Sequence, residues 1–380
     1  MKRSVTSLPL HTGRAPAWLF ERMKRLCGAL IEVIVMEYGP RELLTRLADP
    51  LWFQALGCAV GFDWHSSGLT TTLCGALKEG LTLLGDDVPL AICGGKAKRA
   101  IRTPDDIKAY GERWGVDVSG MVAMSRLCAK IDNTAVQDGY GLYHHTFNFT
   151  PDGSWGIIQQ GMSAERKDAR RYQWLSRDGL DVMSDPHTGI TCDHTQEVLN
   201  FVAGRSADAR SAVVDFASED PDKMASTWED IALSMPRRHY IRAEDVNAGR
   251  LLKAFNAIHE AHPRSFRDLL EIRGVGPRTV GALALAVQFA LGALIAHALL
   301  RRRSVESDQG CREMGVDVPP GELAPVPTPG SLRTASTAAR RSRSWRVLPA
   351  ADGPVDALGR ARNPTRKAGT GPAFDCICWY

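Results

Sequence analysis

Polar residues that could act as acid, base or metal ligand are concentrated beside glycines in the first two hundred residues. A carboxylate and an imidazole close together suit general acid–base catalysis of a phosphate-directed reaction. GFDWHSSG and QDGYGLYHH supply both types, and AKIDN adds a lysine. The candidate catalytic residues are Asp63, His65, Lys130, Asp138 and His145.

The same region suggests a metal site. The candidate ligands are Asp63, His65, Asp138 and His187. Mg²⁺ or Mn²⁺ is the cofactor that hydrolysis of a phosphodiester would use, although the spacing matches no zinc motif. His145 follows another histidine, and on a strand the two rings point to opposite faces, so at most one enters a shared pocket. The alternative is that all these side chains are hydrogen-bonded core and turn residues.

Two basic segments could contact phosphate. CGGKAKR, at 93–99, combines glycine amides with Lys96 but lacks the GxxxxGK[ST] spacing of a Walker A loop. AERKDARRYQWL, at 164–175, predicts a helix whose basic face carries Arg170 and Arg171. Tyr172 and Trp174 would then stack on bases. An ordinary solvated helix face is the alternative for the second segment.

A polar stripe is predicted on a helix just before the histidine pair. Its members follow one another at i, i+4, i+7 and i+11, which places them on one helix face. They are Arg126, Lys130, Asn133 and Gln137. Such a stripe is usually a solvated helix face, but Asn and Gln suit hydrogen bonding to a ligand better than bulk solvation, so a binding surface is the second interpretation.

LLEIRGVGPRTVGAL, at 269–283, predicts two helices joined by a tight glycine turn. Pro277 suits the first position of the second helix, whose free N–H groups form an anion site. The stretch resembles the helix-hairpin-helix motif of DNA repair and recombination proteins, which binds the phosphate backbone without reading sequence. The resemblance assigns nucleic-acid contact to Gly274, Val275, Gly276, Arg278 and Thr279. A helical hairpin used only for packing is the alternative.

The apolar run at 280–300 raises the question of a membrane span, because it has no charge and ends in three arginines. It is rich in Ala and Gly, however, and its first half belongs to the second helix of the hairpin. We therefore expect no membrane partner. Nine cysteines without a CxxC framework and the lack of an N-terminal apolar segment indicate a cytoplasmic setting.

The predicted fold class is mixed α/β (α+β), mainly helical, with a central β-hairpin. Helical spacing of apolar residues predicts a helix over 17–38, and PLAICGG predicts a buried strand. Two alternating aromatic-rich segments flank Pro151-Asp152-Gly153, as in a hairpin. We predict a mixed α/β domain with a polar cleft at 1–218, a helical unit with the hairpin motif at 219–292, and a disordered tail at 293–380.

Several stretches together resemble an uncharacterised archaeal and bacterial family catalogued as domain of unknown function 763. They include LPLHTGRAPAWL, FQALGCAVGFDWHSSGLTTTLCGALKEGL, RLCAKIDNTAVQDGYGLYHHTF and GVGPRTV. The resemblance runs to about residue 290 and implies one cytoplasmic unit, but no particular activity. Beyond it the tail is rich in Arg, Pro and Ala, and our hypothesis is that this part is translated out of frame.

These patterns favour a DNA-associated protein that binds the nucleic-acid backbone and carries a metal-dependent nuclease or related activity. The net charge of +4 permits such a partner without demanding it. One alternative is a DNA-binding or repair scaffold without catalysis. Another is an enzyme acting on a small molecule or nucleotide, with the hairpin used for packing.

Overall fold

The centre of the molecule is a mixed sheet that carries most of the polar residues discussed above. The computed structural model describes residues 2–4, 6–11, 13–63, 65–86, 88–193, 198–234 and 247–291. Six of the described strands form the sheet, in the order β1-β7-β6-β5-β4-β2. Neighbours are antiparallel except β1, which pairs with β7 in parallel. These strands are β1 (Lys2–Ser4), β2 (Ala91–Lys96), β4 (Gly141–Phe149), β5 (Trp155–Ser163), β6 (Asp168–Leu175) and β7 (Gly189–Thr191).

Helices cover both faces of this sheet. The first face packs on α1 (Ala17–Tyr38), α2 (Pro40–Leu47), α3 (Pro50–Ala59) and α4 (Ser67–Leu83). The second face packs on later helices, among them α6 (Thr103–Trp114) and α7 (Ser119–Lys130). Side chains alternate along each strand, so Ile158 belongs to the first apolar core and Ile157 to the second.

The second face also receives the C-terminal helices. They are α8 (Ala207–Ala217), α9 (Pro221–Ser234), α10 (Ala248–Ala261), α11 (Phe266–Glu271) and α12 (Pro277–Leu291). Phe147 of the sheet and Val287 of α12 lie in one continuous apolar core. Both sides of the predicted boundary near residue 218 therefore share a core.

Short elements connect these layers. A π-helical turn (Ile131–Ala135) follows α7 and leads into β3 (Val136–Gln137), which pairs with β8 (Leu199–Asn200). The four-residue α5 (Lys98–Ile101) follows β2, and a 3₁₀ turn (Gly204–Ser206) precedes α8. π-Helical turns inside helical segments are rare and often mark functional sites.

Several local predictions are confirmed. The helix over 17–38 is α1 with the same bounds, and Gly39 ends it with a φ of 83°. PLAICGG overlaps β2, which ends one residue later at Lys96, and the predicted hairpin is β4 and β5 joined by a turn in which Gly153 has a φ of 89°. The mixed α/β class is likewise confirmed, with a sheet that is larger than the predicted hairpin.

The helix predicted over 164–175 is wrong. Residues 168–175 form strand β6, paired with β5 along its whole length. As a result Arg170 and Arg171 lie on opposite faces of the sheet and are 6% and 0% exposed, so they present no basic surface. Good helix formers at the start of the segment suggested a helix, but the cross-strand hydrogen bonds and burial on both faces outweigh that propensity.

The apolar run at 280–300 begins inside α12 and continues beyond residue 291, outside the described residues. Among the helices that the structure describes, none is both long and apolar enough to cross a bilayer. The tail at 293–380 also lies outside the described residues.

Candidate functional site

The polar centre of the second face is Asp132, on the π-helical turn. Its Oδ2 accepts hydrogen bonds from Gln159 Nε2 at 2.5 Å and Trp174 Nε1 at 2.9 Å. Its Oδ1 lies 2.5 Å from Nε2 of His187. Asp132 is fully buried, and burial raises the pKa of its carboxyl group, although His187 and Trp174 favour the charged form. One carboxylate thus joins the turn to two strands and to the loop that carries His187.

A chain of polar side chains continues from this carboxylate to α7. Gln159 Oε1 lies 2.9 Å from Nδ1 of His145, and His145 Nε2 lies 2.8 Å from the hydroxyl of Ser125. The order resembles a serine nucleophile with its base, but Ser125 and His145 are 1% and 0% exposed. Burial lowers the pKa of His145 to about 4. Ser125, His145 and Gln159 are thus hydrogen-bonded to one another within the core.

Asp138 is the centre of a second buried group. Its Oδ2 accepts from Arg170 Nη1 at 2.7 Å and from the Tyr172 hydroxyl at 2.5 Å, and its Oδ1 accepts from the backbone N–H of Tyr140. The Arg170 guanidinium also stacks 4.4 Å from the ring centre of Tyr140. Desolvation opposes the charge of Arg170, but Asp138 outweighs it and raises the pKa of the guanidinium. Both oxygens of this carboxylate thus accept hydrogen bonds from neighbouring residues of the chain.

The first face holds a buried cation with a different environment. Arg171 donates to Gln54 at 2.8 Å, and to the hydroxyls of Thr191 at 3.2 Å and Thr70 at 3.3 Å. Its guanidinium stacks 4.5 Å from the ring centre of Phe53. Within the described residues no carboxylate forms an ion pair with Arg171, and burial lowers its pKa to about 9. Three neutral acceptors and one aromatic ring thus replace the water around this cation.

The predicted metal ligands do not come together. Asp63 and His65 lie in the exposed loop between α3 and α4, where Asp63 Oδ1 accepts from the backbone N–H of His65 at 3.2 Å. Asp138 and His187 are buried on the other side of the sheet. Across the described ranges, no three residues of the types His, Cys, Asp and Glu are grouped so that they could hold a metal ion. Asp63 and His65 form a local turn, which their spacing in the sequence also allows.

Lys130 has a structural partner that the sequence did not indicate. Its ammonium donates to the backbone oxygen of Val275 at 2.6 Å, across 145 positions of the chain. Gln137 Nε2 donates to the backbone oxygen of Pro277 at 2.8 Å. The predicted helix ends at Lys130, so the polar stripe is not one helix face. Two of its members nevertheless bind one target, which is the turn between α11 and α12.

The glycines of the α11–α12 turn leave their backbone open to solvent, beside the exposed side chain of Arg278. Gly274 has a φ of 90°, and a Cβ added at Gly274 or Gly276 would meet no atom within 4 Å. Val275 is 1% exposed and belongs to the core, so its side chain anchors the turn and is not available for the predicted nucleic-acid contact. Thr279 is buried, whereas Arg278 is exposed and has no ion pair within the described residues. The turn is thus held by hydrogen bonds on its inner side, while its glycines face open space.

Lys96 lies at a cavity of about 330 Å³ on the first face, beside the end of β2. Gly94, Gly95 and Arg99 from the same predicted segment also line it. Pairing of β2 with β4 places Lys96 opposite His144. Part of the glycine-rich basic segment therefore lines this cavity.

Sequence reasoning missed the residues that organise the buried network. Asp132 and Gln159 of the second face were not among the candidates, nor was Gln160 of the first face, which donates to the backbone oxygen of Ser67 at 2.9 Å; all three are fully buried. IDNTA offered one signal, because three consecutive polar residues stand at the point where the π-helical turn forms. The two glutamines stand on an apolar strand, QQ between Ile158 and Gly161, and such a position requires buried partners.

Comparison with known proteins identifies the family. A family model described as "Protein of unknown function (DUF763)" matches residues 4–297, which is more than half of the chain. The chain belongs to this family. No curated protein and no solved structure matches it.

Proposed function

We propose that this member of the family binds the sugar–phosphate backbone of DNA through the α11–α12 turn, without reading base sequence. The observation that carries the proposal is the inward attachment of the turn: its oxygens at Val275 and Pro277 accept from Lys130 and Gln137. A helix-hairpin-helix clamp needs such a fixed turn with its amide groups outward.

These two hydrogen bonds use carbonyl oxygens of the turn and leave the N–H groups at the start of α12 for a phosphate. The first N–H groups of α12 have no acceptor within their own helix, and they carry the positive end of the helix dipole. Gly274 and Gly276 place no side chain over them, so a phosphate oxygen has an open approach to the backbone. Glycine at these two positions is thus explained by access, and at Gly274 also by its positive φ.

The charges at the turn favour an anion. Arg278, one position into α12, is exposed and free of ion pairs within the described structure. Lys130 sits beneath the turn, and no carboxylate of the described residues pairs with it. Burial lowers the pKa of its ammonium, which is the cost of placing a cation at this point. Hydrolysis is left out of the proposal because Asp63 and His65 lie apart from Asp138.

Gly276→Ala tests the clamp. The methyl group enters open space and the φ of Gly276 is not in the positive region, so the fold is expected to keep its melting temperature. Binding to any 20-base-pair duplex should weaken about tenfold, equally for different sequences, because the methyl group blocks the phosphate. Gly120→Ala is the matched control, since Gly120 is an exposed glycine of α7 with equally open surroundings.

Salt dependence provides an independent readout. Arg278→Gln removes one phosphate contact and should reduce the slope of log K against log salt by about 0.9, whereas Gly276→Ala should leave the slope unchanged. Fluorescence anisotropy at several salt concentrations measures both. Binding by Gly276→Ala at wild-type strength would reject the clamp, and so would the absence of duplex binding by the wild-type chain at low salt. Adding Mg²⁺ or Mn²⁺ to the same samples shows whether binding is accompanied by cleavage.

A further inference from the structure

The cavity at the end of β2 lies on the opposite face of the sheet from α7 and the α11–α12 turn, and the DNA proposal does not use it. Its floor includes Thr146 and Cys74, and the Thr146 hydroxyl lies 3.7 Å from the Cys74 sulfur. Its volume of about 330 Å³ is at the lower end of the range for small-molecule sites, roughly 300 to 1,000 Å³. A recess of this size fits a small molecule and not a duplex.

The lining of the cavity is strongly basic. Arg14, Lys96 and Arg99 line it, and none of the three has an ion pair within the described residues. A fourth cation, Lys78, is already neutralised by Asp106 at 2.6 Å. Glu79 is the one carboxylate among the described lining residues. Three unpaired cations around one recess attract an anion that carries more than one negative charge.

The backbone beside these cations is held in a special conformation. Gly94 and Gly95 have φ angles of 87° and 143°, and Ala97, which has a side chain, has a φ of 53°. Asp106 fixes this geometry by accepting from the N–H of Gly94 at 2.9 Å while it binds Lys78, which also donates to the Gly94 oxygen. The two glycines adopt such angles without strain, whereas at Ala97 the angle is strained, and strain of this kind often accompanies a ligand site.

An independent observation comes from the strand beneath. His144 is 1% exposed, and neither of its ring nitrogens has a hydrogen-bond partner in the described structure. It lies opposite Lys96 in the β2–β4 pairing, and on the same face of β4 as Thr146, which lines the cavity. A buried imidazole normally makes hydrogen bonds. His144 itself does not line the cavity, but its unpartnered ring lies on the strand next to Lys96, which does line it and has no ion pair within the described residues.

We propose that this cavity binds the phosphate groups of a small phosphorylated molecule of nucleoside diphosphate size. Lys96 and Arg99 hold the phosphate oxygens by charge-assisted hydrogen bonds, and Arg14 closes the site from the N-terminal segment. Lys96, which the sequence assigned to nucleic-acid contact, thereby serves a different ligand from the α11–α12 turn.

Calorimetric titration of the full chain with ADP, inorganic pyrophosphate and adenosine tests the site. ADP and pyrophosphate are expected to bind and adenosine is not, because the phosphate groups provide the recognition. Lys96→Gln and Arg99→Gln should each weaken ADP binding at least about tenfold, the usual effect of losing a hydrogen bond to a charged group. Lys108→Gln is the matched control, because Lys108 is an exposed lysine of α6 that does not line the cavity.

The outcomes are distinct. No ADP or pyrophosphate binding, or equal weakening by Lys108→Gln and Lys96→Gln, would overturn the proposal. Tight binding of a 5′-phosphorylated oligonucleotide with none of ADP would also overturn it. Gly276→Ala should bind ADP like the wild type, and Lys96→Gln should bind duplex DNA like the wild type, so failure of one proposal leaves the other intact. Melting temperatures of all variants exclude loss of folding as the cause.

Discussion

Replacement of His144 by leucine should change how the stability of the protein responds to acid. Burial, with smaller contributions from His145 and Lys96, lowers the pKa of His144 to about 3 from an ordinary value of 6.5. The folded chain therefore keeps the imidazole neutral, while the unfolded chain takes up a proton as the pH falls below 6.5. The contribution of the neutral imidazole to the free energy of unfolding is present in full above pH 6.5, and it is lost progressively as the pH falls to about 3.

The magnitude follows from the two pKa values. At pH 5 the unfolded chain is favoured by protonation of His144 by about 2 kcal/mol, since each pH interval of one unit contributes about 1.4 kcal/mol. At pH 7.5 the same contribution is close to zero. His144→Leu removes this pH-dependent contribution. The substitution also removes two buried nitrogens that have no partner in the described structure, which should raise the free energy of unfolding at pH 7.5 by about 1 kcal/mol.

Urea unfolding followed by tryptophan fluorescence at pH 7.5 and pH 5 measures the effect. Carboxylates and the other histidines titrate in both proteins, so the difference between wild type and variant isolates His144. The stability advantage of His144→Leu should grow by about 2 kcal/mol between pH 7.5 and pH 5. His65→Leu is the control, because His65 is exposed. An advantage that is the same at both pH values would refute a buried, neutral His144.

Two further predictions concern stability. Asp132→Leu should lower the free energy of unfolding by about 3 to 5 kcal/mol, because three buried donors lose their acceptor. Asp132→Asn keeps an acceptor oxygen and should lower it less. Equal losses of the two variants in urea unfolding would contradict the role of this carboxylate. Gly94→Ala should cost more than Gly85→Ala, since both have positive φ but only at Gly94 would the Cβ meet the His145 oxygen, at 2.3 Å. Thermal melts check this, and identical melting temperatures would count against the close approach.

Local features of the chain were predictable because short-range interactions decide them. The bounds of α1 follow from apolar residues at helical spacing and from Gly39-Pro40, which stops the helix. The β4–β5 hairpin follows from alternation and from its turn residues. In the C-terminal motif, the glycine turn and Pro277 at the first position of the second helix were placed correctly.

The environment of the polar residues was not predictable in the same way. Arg171 looks like a surface residue in RKDARRYQW, and only pairing of β6 with β5 and β7 places it between Phe53 and three neutral hydrogen-bond acceptors. His145 was placed on a strand correctly, but whether it faced a cleft or the core depended on α7, which covers it with Ser125.

By itself the sequence determined the helix and strand types of its most periodic segments and the presence of a glycine turn between two helices. The tertiary structure alone decided that Lys130 and Gln137 fix this turn from below, and that Lys96, Arg99 and Arg14 meet around one cavity. The physical reason is separation along the chain. Periodicity and turn chemistry act over a few residues, whereas the partner of Lys130 lies 145 positions away and is brought near only when both faces of the sheet are covered.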